Sequence, residues 1–133
     1  MKYTSEITTR FCETDLMGHI SNVSYFMYCE VARVHFLTGL NISQVGESWN
    51  FIMASIKCDF VKQLYANRKV QIETRVKRIG TKSVTLVHKL LNEEGELAAS
   101  VEEVLVGFER ETQTTRVLSE SEKKKLRVYQ IEE

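Results

Sequence analysis

Hydrophobic and polar residues follow two different periods along this chain. Over residues 22–38 the apolar side chains fall on nearly every side of a helical wheel, which is typical of a helix that the rest of the protein covers on most sides. Glu30 and Arg33 interrupt this pattern, and their spacing of three lets them form an ion pair. Gly39 is the expected stop of the helix. The pattern therefore predicts one long, buried helix in the first third of the sequence.

Most of the remaining sequence alternates between apolar and polar positions, which is typical of strands with one buried face. A hairpin turn at 92–95 ends at Gly95, where a left-handed residue is needed. Residues 40–50 are polar and irregular, and we interpret them as a loop or one further helical turn. The predicted strands comprise residues 3–13, 51–64, 69–80, 82–92 and 96–110, with a short last strand ending near Leu118.

A helix followed by long antiparallel strands predicts an α+β fold, in which a curved sheet of about five strands wraps around the long central helix. An open sheet exposes the backbone groups of its edge strands to the solvent. Pairing with another copy of the chain is the simplest way to cover such an edge. We therefore expect a homodimer or a homotetramer.

Near the end of the chain, Ser119 and Glu122 have the spacing of a capping box. They predict a short, charged helix from about residue 120 to residue 128, solvated and peripheral. No proline, linker or internal repeat divides the sequence. Residues 1–133 are therefore predicted to form one domain, with residues 119–133 as its peripheral tail.

Composition narrows the range of functions. The 133 residues are 43% hydrophobic, and 18 basic residues balance 18 acidic ones, so neither nucleic acid nor a membrane surface is an expected partner. The sequence has no signal-peptide pattern and no apolar run long enough to cross a membrane. Three cysteines lack the spacing of a metal site, and we interpret them as reduced, packed thiols of a cytoplasmic protein: Cys12, Cys29 and Cys58.

The strongest candidate for chemistry is the loop between the first strand and the helix. Asp15 lies in this loop, Gly18 can take the positive φ of a sharp turn, and Ser21 or Asn22 can cap the helix. The free N–H groups at a helix N-terminus suit a developing oxyanion. A nearby carboxylate can activate water or attack a carbonyl carbon itself. The alternative is that Asp15 only caps a turn through its side chain.

Several short motifs follow one another in order along the chain. They are Arg10-Phe11-x-Glu13-Thr14-Asp15-x-x-Gly18-His19-Ile20-x-Asn22, Tyr25, Glu30-x-x-Arg33, Asp59-Phe60, Gly80 with Ser83, and Glu94-Gly95. Together they resemble the hotdog-fold acyl-CoA thioesterases, in particular the 4-hydroxybenzoyl-CoA thioesterase-like group, across residues 4–118. The chain departs from the family's pattern at Ser21, where the family often has asparagine, and it lacks a proline near Leu64 and Tyr65. Neither departure removes the carboxylate.

The resemblance implies a hotdog fold with active sites at a dimer interface. It implies that Asp15 is the catalytic carboxylate, acting as nucleophile or general base, and that the backbone N–H near Asn22 polarises the thioester carbonyl. His19 is a further catalytic candidate that would orient the carboxylate or water. The implied substrate is a thioester of coenzyme A or of acyl carrier protein, and neither a metal nor a redox cofactor is needed. The expected substrate contacts are Gly18, Tyr25 and Ser83, the last reaching the site of the partner subunit.

Other interpretations of the same residues stay open. His19 is also explained as a loop histidine bonded to backbone, and Ser83 as an ordinary strand residue. Glu30 is either half of a structural pair with Arg33 or the helix carboxylate of a hotdog hydratase or dehydratase, which would act with His19 on 3-hydroxyacyl thioesters. A non-catalytic acyl-CoA-binding module would have the same fold. Asp15 and His19 alone are too few ligands for a zinc site.

Overall fold

The computed structural model describes residues 1–46 and 49–132. Residues 47 and 48, in the predicted loop, and residue 133, at the end of the predicted tail, lie outside the described residues. The elements in chain order are β1 (Tyr3–Thr8), a 3₁₀ turn (Phe11–Glu13), α1 (Asn22–Gly39), β2 (Phe51–Phe60), β3 (Lys69–Ile79), β4 (Ser83–Leu91), β5 (Leu97–Glu109), β6 (Thr114–Thr115) and α2 (Glu120–Arg127).

The strands form one antiparallel sheet in the order β1-β3-β4-β5-β2, and β6 pairs with the end of β5. The long strands β3, β4 and β5 occupy the middle, whereas β1 and β2 form the two edges. Helix α1 packs against one face of this sheet. The structure therefore confirms the predicted α+β arrangement of one long helix and an antiparallel sheet.

The core lies between α1 and the central strands. Cys29, Ala32, Phe36 and Leu37 follow one side of the helix and are fully buried. Burying a large apolar side chain contributes roughly 1.5–3 kcal/mol, so these contacts fix the helix on the sheet. Their partners are buried residues of the three central strands, namely Ile72, Val76, Val84, Leu86, Leu90, Val101 and Leu105.

The opposite side of α1 is not covered, although the sequence predicts a helix enclosed on most sides. Val23, Met27 and Val31 lie one helical turn apart and expose 66%, 52% and 38% of their surface. The sheet of a single chain lies on one side of the helix only, which leaves this apolar stripe open. Neither helix within the described residues is both long and apolar enough to span a membrane.

The end of α1 differs in detail from the prediction. Gly39 is the last helical residue rather than the left-handed residue after the helix. Asn41 takes that left-handed role, with φ 58°, as asparagine often does at helix ends. Gly39 is small for another reason, because a Cβ at this position would overlap the hydroxyl oxygen of Tyr3. Close packing against β1, not φ, accounts for this glycine.

Two strands are shorter than the alternating pattern predicts. Residues 9–13 do not continue β1, because the chain turns into the 3₁₀ turn and the Glu13 N–H bonds the Arg10 carbonyl at 3.0 Å. The second strand ends at Phe60 instead of residue 64. There the N–H groups of Val61 and Lys62 both donate to the Ala98 carbonyl, which turns the chain away from the sheet.

Helix α2 has the predicted capping box, but it is not wholly peripheral. Leu126 is fully buried in the core cluster of Phe36. The ring of Tyr129 packs edge-on against Phe36, with 5.3 Å between centroids. The backbone groups of Val76 bond those of Tyr129 and Ile131, so this segment covers the part of β3 that lies beyond the end of β1. The solvated surface of the helix is charged, as predicted, while one face completes the core.

The cap of α2 yields a small stability prediction. The Ser119 hydroxyl accepts the Glu122 N–H at 3.1 Å, and the Glu122 carboxylate accepts the Ser119 N–H at 2.7 Å. Ser119→Ala is expected to lower the free energy of unfolding by about 1 kcal/mol, measured by urea denaturation. Ser121→Ala serves as the matched control, because Ser121 lies two residues further along the chain and is exposed. It should change the free energy of unfolding by less than about 0.5 kcal/mol. Equal effects of the two changes would contradict the capping role.

Candidate active site

The loop that precedes α1 is closed by its own backbone. Thr14 and Ile20 form an isolated antiparallel bridge, and the Asp15 N–H donates to the His19 carbonyl at 2.8 Å. The Gly18 N–H donates to the Asp15 carbonyl at 3.2 Å, and Gly18 has the predicted positive φ, 83°. Glycine adopts this conformation without steric cost. The loop is therefore a defined turn that presents Asp15 at the surface.

The two oxygens of the Asp15 carboxylate have different surroundings. Oδ1 accepts the N–H of Met17 at 2.8 Å and that of His19 at 3.3 Å, which is the turn-capping role that aspartate often takes. Oδ2 has no hydrogen-bond partner among the described residues, and the side chain is exposed. One oxygen thus shapes the loop while the other is free to meet water or a ligand. Capping and chemistry are compatible at this residue.

The start of α1 lies next to this loop in the chain and offers free donors. Ser21 is the N-cap residue, but its side chain makes no capping hydrogen bond. Within the described ranges, the N–H groups of Asn22 and Val23 have no acceptor. Such unpaired N–H groups, together with the positive end of an 18-residue helix, can stabilise negative charge on a ligand oxygen. The geometry accordingly brings an exposed carboxylate and two unpaired backbone N–H donors into one short segment.

His19 belongs to the same loop but points to a different neighbour. Its ring packs edge-on against Tyr65, with 5.5 Å between the ring centroids. The imidazole makes no hydrogen bond within the part of the chain that the structure describes, so it does not hold the Asp15 carboxylate in this chain. The backbone of His19, rather than its side chain, contacts Asp15.

Tyr25, one of the predicted substrate contacts, lies in the first turn of α1 but is buried. Tyr25 exposes only 2% of its surface, packs against Phe60, and donates its hydroxyl to the Lys62 carbonyl at 3.1 Å. Burial raises the pKa of this phenol. In the single chain Tyr25 is therefore a core residue beneath the connection from β2 to β3, without a surface for a ligand.

Ser83 begins β4, at the end of the sheet opposite to the Asp15 loop. The loop contacts Leu64, whose carbonyl accepts the Ile20 N–H at 2.8 Å, and the nearby Lys62 pairs with Glu96 just beyond the other end of β4. The nine residues of β4 separate these ends by about 26 Å at the usual rise per residue. The structure thus brings Asp15 and His19 together with the helix start, but not with Ser83 of the same chain.

A buried polar network was missed by sequence reasoning. Arg33 Nη1 lies 2.9 Å from Glu103 Oε2, His88 Nε2 lies 2.8 Å from Glu103 Oε1, and Thr74 Oγ1 lies 2.8 Å from His88 Nδ1. Glu103 and His88 are fully buried. The predicted pair of Arg33 with Glu30 is present at 3.8 Å, but the Glu30 side chain is 69% exposed. Glu103 alternates with Val101 and Leu105 on the inward face of β5. A charged residue at an inward position was the feature of the sequence that could have indicated this network.

The cysteines show no sign of an activated thiol. Burial raises the pKa of Cys29, and burial raises the pKa of Cys58 to about 11. A thiol is a poor nucleophile unless its pKa is lowered. Cys12 is exposed, in contrast to the packed position that the sequence predicts, because it lies in the 3₁₀ turn rather than in a strand.

Comparison with known proteins extends these findings. The model of the thioesterase-like superfamily matches residues 9–127. The Bacillus subtilis (strain 168) protein YsmA is 29% identical over 122 residues, which are 92% of this chain and 83% of YsmA. The acyl-CoA thioesterase YbgC of Helicobacter pylori is 30% identical over 78 residues, 59% of each chain. The structure of a predicted thioesterase from Bacillus stearothermophilus matches with a TM-score of 0.89 at 26% identity, covering 100% of this chain and 99% of that one. These matches confirm the hotdog fold.

Proposed function

Because the chain belongs to the thioesterase-like superfamily, we propose that it hydrolyses an acyl-CoA, or an acyl group on acyl carrier protein, to the free acid and the thiol. The observation that carries this proposal is the free Oδ2 of Asp15, presented by a loop that leads directly into the open N-terminus of α1. The name of the relative YbgC, an acyl-CoA thioesterase, supports coenzyme A as the thiol.

The chemistry follows from the two halves of this segment. The thioester carbonyl oxygen binds the N–H groups of Asn22 and Val23, which stabilise the negative charge that develops on it. The Asp15 carboxylate takes a proton from the attacking water as general base. Alternatively it attacks the carbonyl carbon and forms an anhydride, which water then cleaves. In either case the carbon–sulfur bond breaks, the thiolate leaves and is protonated, and no metal or redox cofactor takes part.

A second copy of the chain completes the site in this proposal. The apolar stripe of Val23, Met27 and Val31 begins at the helix start and is exposed in the single chain. The edge strand β2 carries further exposed apolar side chains, including Met53 and Phe60. A homodimer that buries both surfaces forms an apolar channel for the pantetheine arm beside Asp15. Ser83 of the partner subunit then reaches the acyl end, which Ser83 of the same chain does not.

The test is thiol release from a panel of acyl-CoAs that includes aromatic, short-chain and long-chain esters, with crotonyl-CoA hydration measured in parallel. We expect hydrolysis of at least one ester without hydration of crotonyl-CoA. Hydration without thiol release would replace the proposal by a hydratase, in which Glu30 and His19 act together. Tight binding of the esters without any turnover, also on acyl carrier protein, would replace it by a binding module.

A further inference from the structure

Glu13 connects α1 to the loop of residues 14–20, which carries Asp15. We propose that Glu13 is a positioning residue, whose bond with Tyr28 sets the placement of Asp15 relative to the start of α1. Glu13 lies two residues before Asp15, in the 3₁₀ turn, and its side chain is only 11% exposed. This inference rests on the proposed thioesterase function. It assigns Glu13 no contact with the substrate.

The carboxylate of Glu13 is bonded on both oxygens. Oε1 accepts the Tyr28 hydroxyl at 2.7 Å and the Arg10 N–H at 2.7 Å. Oε2 faces the Arg10 guanidinium, with 3.2 Å to Nη2 and 3.3 Å to Nε. Tyr28 itself is 4% exposed and lies in the second turn of α1. A surface turn is thereby anchored by its side chain to a buried group of the helix.

The backbone of Glu13 binds the same helix. Its carbonyl accepts the Ser21 N–H at 2.8 Å and the Ser24 hydroxyl at 3.2 Å. Ser24 and Tyr28 are four residues apart, so they lie on one face of the helix, directly above one another. Glu13 therefore contacts the N-cap residue, the first turn and the second turn of α1.

The ionisation states of Glu13 and Tyr28 favour a strong hydrogen bond between them. Burial acts to raise the pKa of Glu13, but hydrogen bonds from Tyr28 and Arg10 outweigh it and hold the pKa below its usual value. Burial and the adjacent Glu13 carboxylate raise the pKa of Tyr28. Glu13 is consequently an anion and Tyr28 a neutral donor at neutral pH. Hydrogen bonds with one ionised partner are among the stronger ones in proteins.

The backbone and the side chain of Glu13 together fix the loop of residues 14–20. The loop leaves the 3₁₀ turn at Glu13 and enters the helix at Ser21. The Glu13 carbonyl accepts the Ser21 N–H, while the Glu13 carboxylate is held by the Tyr28 hydroxyl. The distance between the Asp15 carboxylate and the free N–H groups of Asn22 and Val23 therefore depends on Glu13. A displacement of about 1 Å in a catalytic group can lower the rate about 100-fold.

The experiment compares Tyr28→Phe, Glu13→Ala, Glu13→Gln and the double variant Tyr28→Phe/Glu13→Ala with the wild-type protein. We expect kcat to fall about 10- to 100-fold in Tyr28→Phe and Glu13→Ala, with KM changed less than about threefold because no substrate contact is lost. The double variant should be no worse than the poorer single variant. Glu13→Gln retains an acceptor for the Tyr28 hydroxyl and should recover part of kcat. Tyr129→Phe, which removes a hydroxyl two residues after the end of α2, is the matched control.

A second measurement separates positioning from general loss of stability. Amide hydrogen exchange at Met17, Gly18 and His19 should become faster in Tyr28→Phe, while exchange in the central strands stays unchanged. A wild-type kcat in Tyr28→Phe, or a lowered kcat with unchanged loop exchange, would overturn the proposal. If the wild-type protein releases no thiol from any ester, the proposed function fails, and loop exchange alone then decides whether Glu13 holds the loop.

Discussion

Asp15→Asn is expected to lower kcat for thioester hydrolysis by about 100- to 10,000-fold, the range over which a positioned general base contributes. Asparagine has nearly the size of aspartate but cannot accept a proton from water or attack as an anion. Its amide oxygen can still accept the N–H groups of Met17 and His19, which Asp15 Oδ1 now bonds at 2.8 and 3.3 Å. The loop should therefore keep its shape while the reaction stops.

The matched control for this variant is Glu111→Gln. Glu111 is exposed in the turn between β5 and β6, outside the loop of Asp15 and outside both surfaces of the proposed dimer. The Glu111→Gln protein should keep the wild-type kcat, and both variants should unfold at the wild-type urea concentration. Equal activity of Asp15→Asn and wild type would show that another residue performs the chemistry, and Glu30 would then be the next carboxylate to replace.

Arg33→Met is expected to lower the free energy of unfolding by about 3–5 kcal/mol. The change removes the cation that lies 2.9 Å from Glu103 Oε2, and Glu103 is fully buried. The Glu103 carboxylate would then keep only its bond with His88 Nε2, while its second oxygen would stay buried without a partner. Urea denaturation at a fixed protomer concentration measures the loss, because the stability of an oligomer depends on concentration.

Two further variants test whether the loss of stability in Arg33→Met comes from its buried partner, Glu103. Glu30→Gln removes the exposed carboxylate at 3.8 Å from Arg33 and should cost less than about 1 kcal/mol, as is usual for surface pairs. The double variant Arg33→Met/Glu103→Leu should be less destabilised than the sum of its single changes, because it leaves no buried charge unpaired. Additive effects, or equal losses in Arg33→Met and Glu30→Gln, would contradict this account.

The sequence was sufficient to predict the elements because their signals are local. The apolar pattern of α1 and the alternation of the strands placed most boundaries within a few residues. The exceptions depend on bonds that an alternating pattern does not reveal. The alternation runs on through Phe11 to Glu13, but the Glu13 N–H bonds the Arg10 carbonyl and the Glu13 side chain bonds Tyr28 of α1, so the chain turns. Likewise, the β2 pattern extends to residue 64, and it is the Ala98 carbonyl of β5 that ends the strand.

The same distinction applies to the candidate site. Asp15, Gly18 and Asn22 are close in sequence, so the loop and the helix start could be predicted together. The burial of Tyr25 and the remote position of Ser83 depend on how the sheet lies against α1, which local patterns do not reveal. His88 shares the alternating positions of its strand with Val84 and Leu86. Its partner Glu103 could not be assigned without the register of β4 and β5, which places His88 opposite Val101.

The two oxygens of the Asp15 carboxylate have different bonds, and this difference has a practical consequence. One oxygen maintains the loop and the other is unbonded, so in the proposed mechanism Asp15→Asn removes the reacting group and keeps the shape of the loop. An Asp15→Asn protein should then retain an intact thioester instead of consuming it. Immobilised on a column and incubated with a metabolite extract, such a variant becomes a trap, and mass spectrometry of what it retains would identify the acyl group directly.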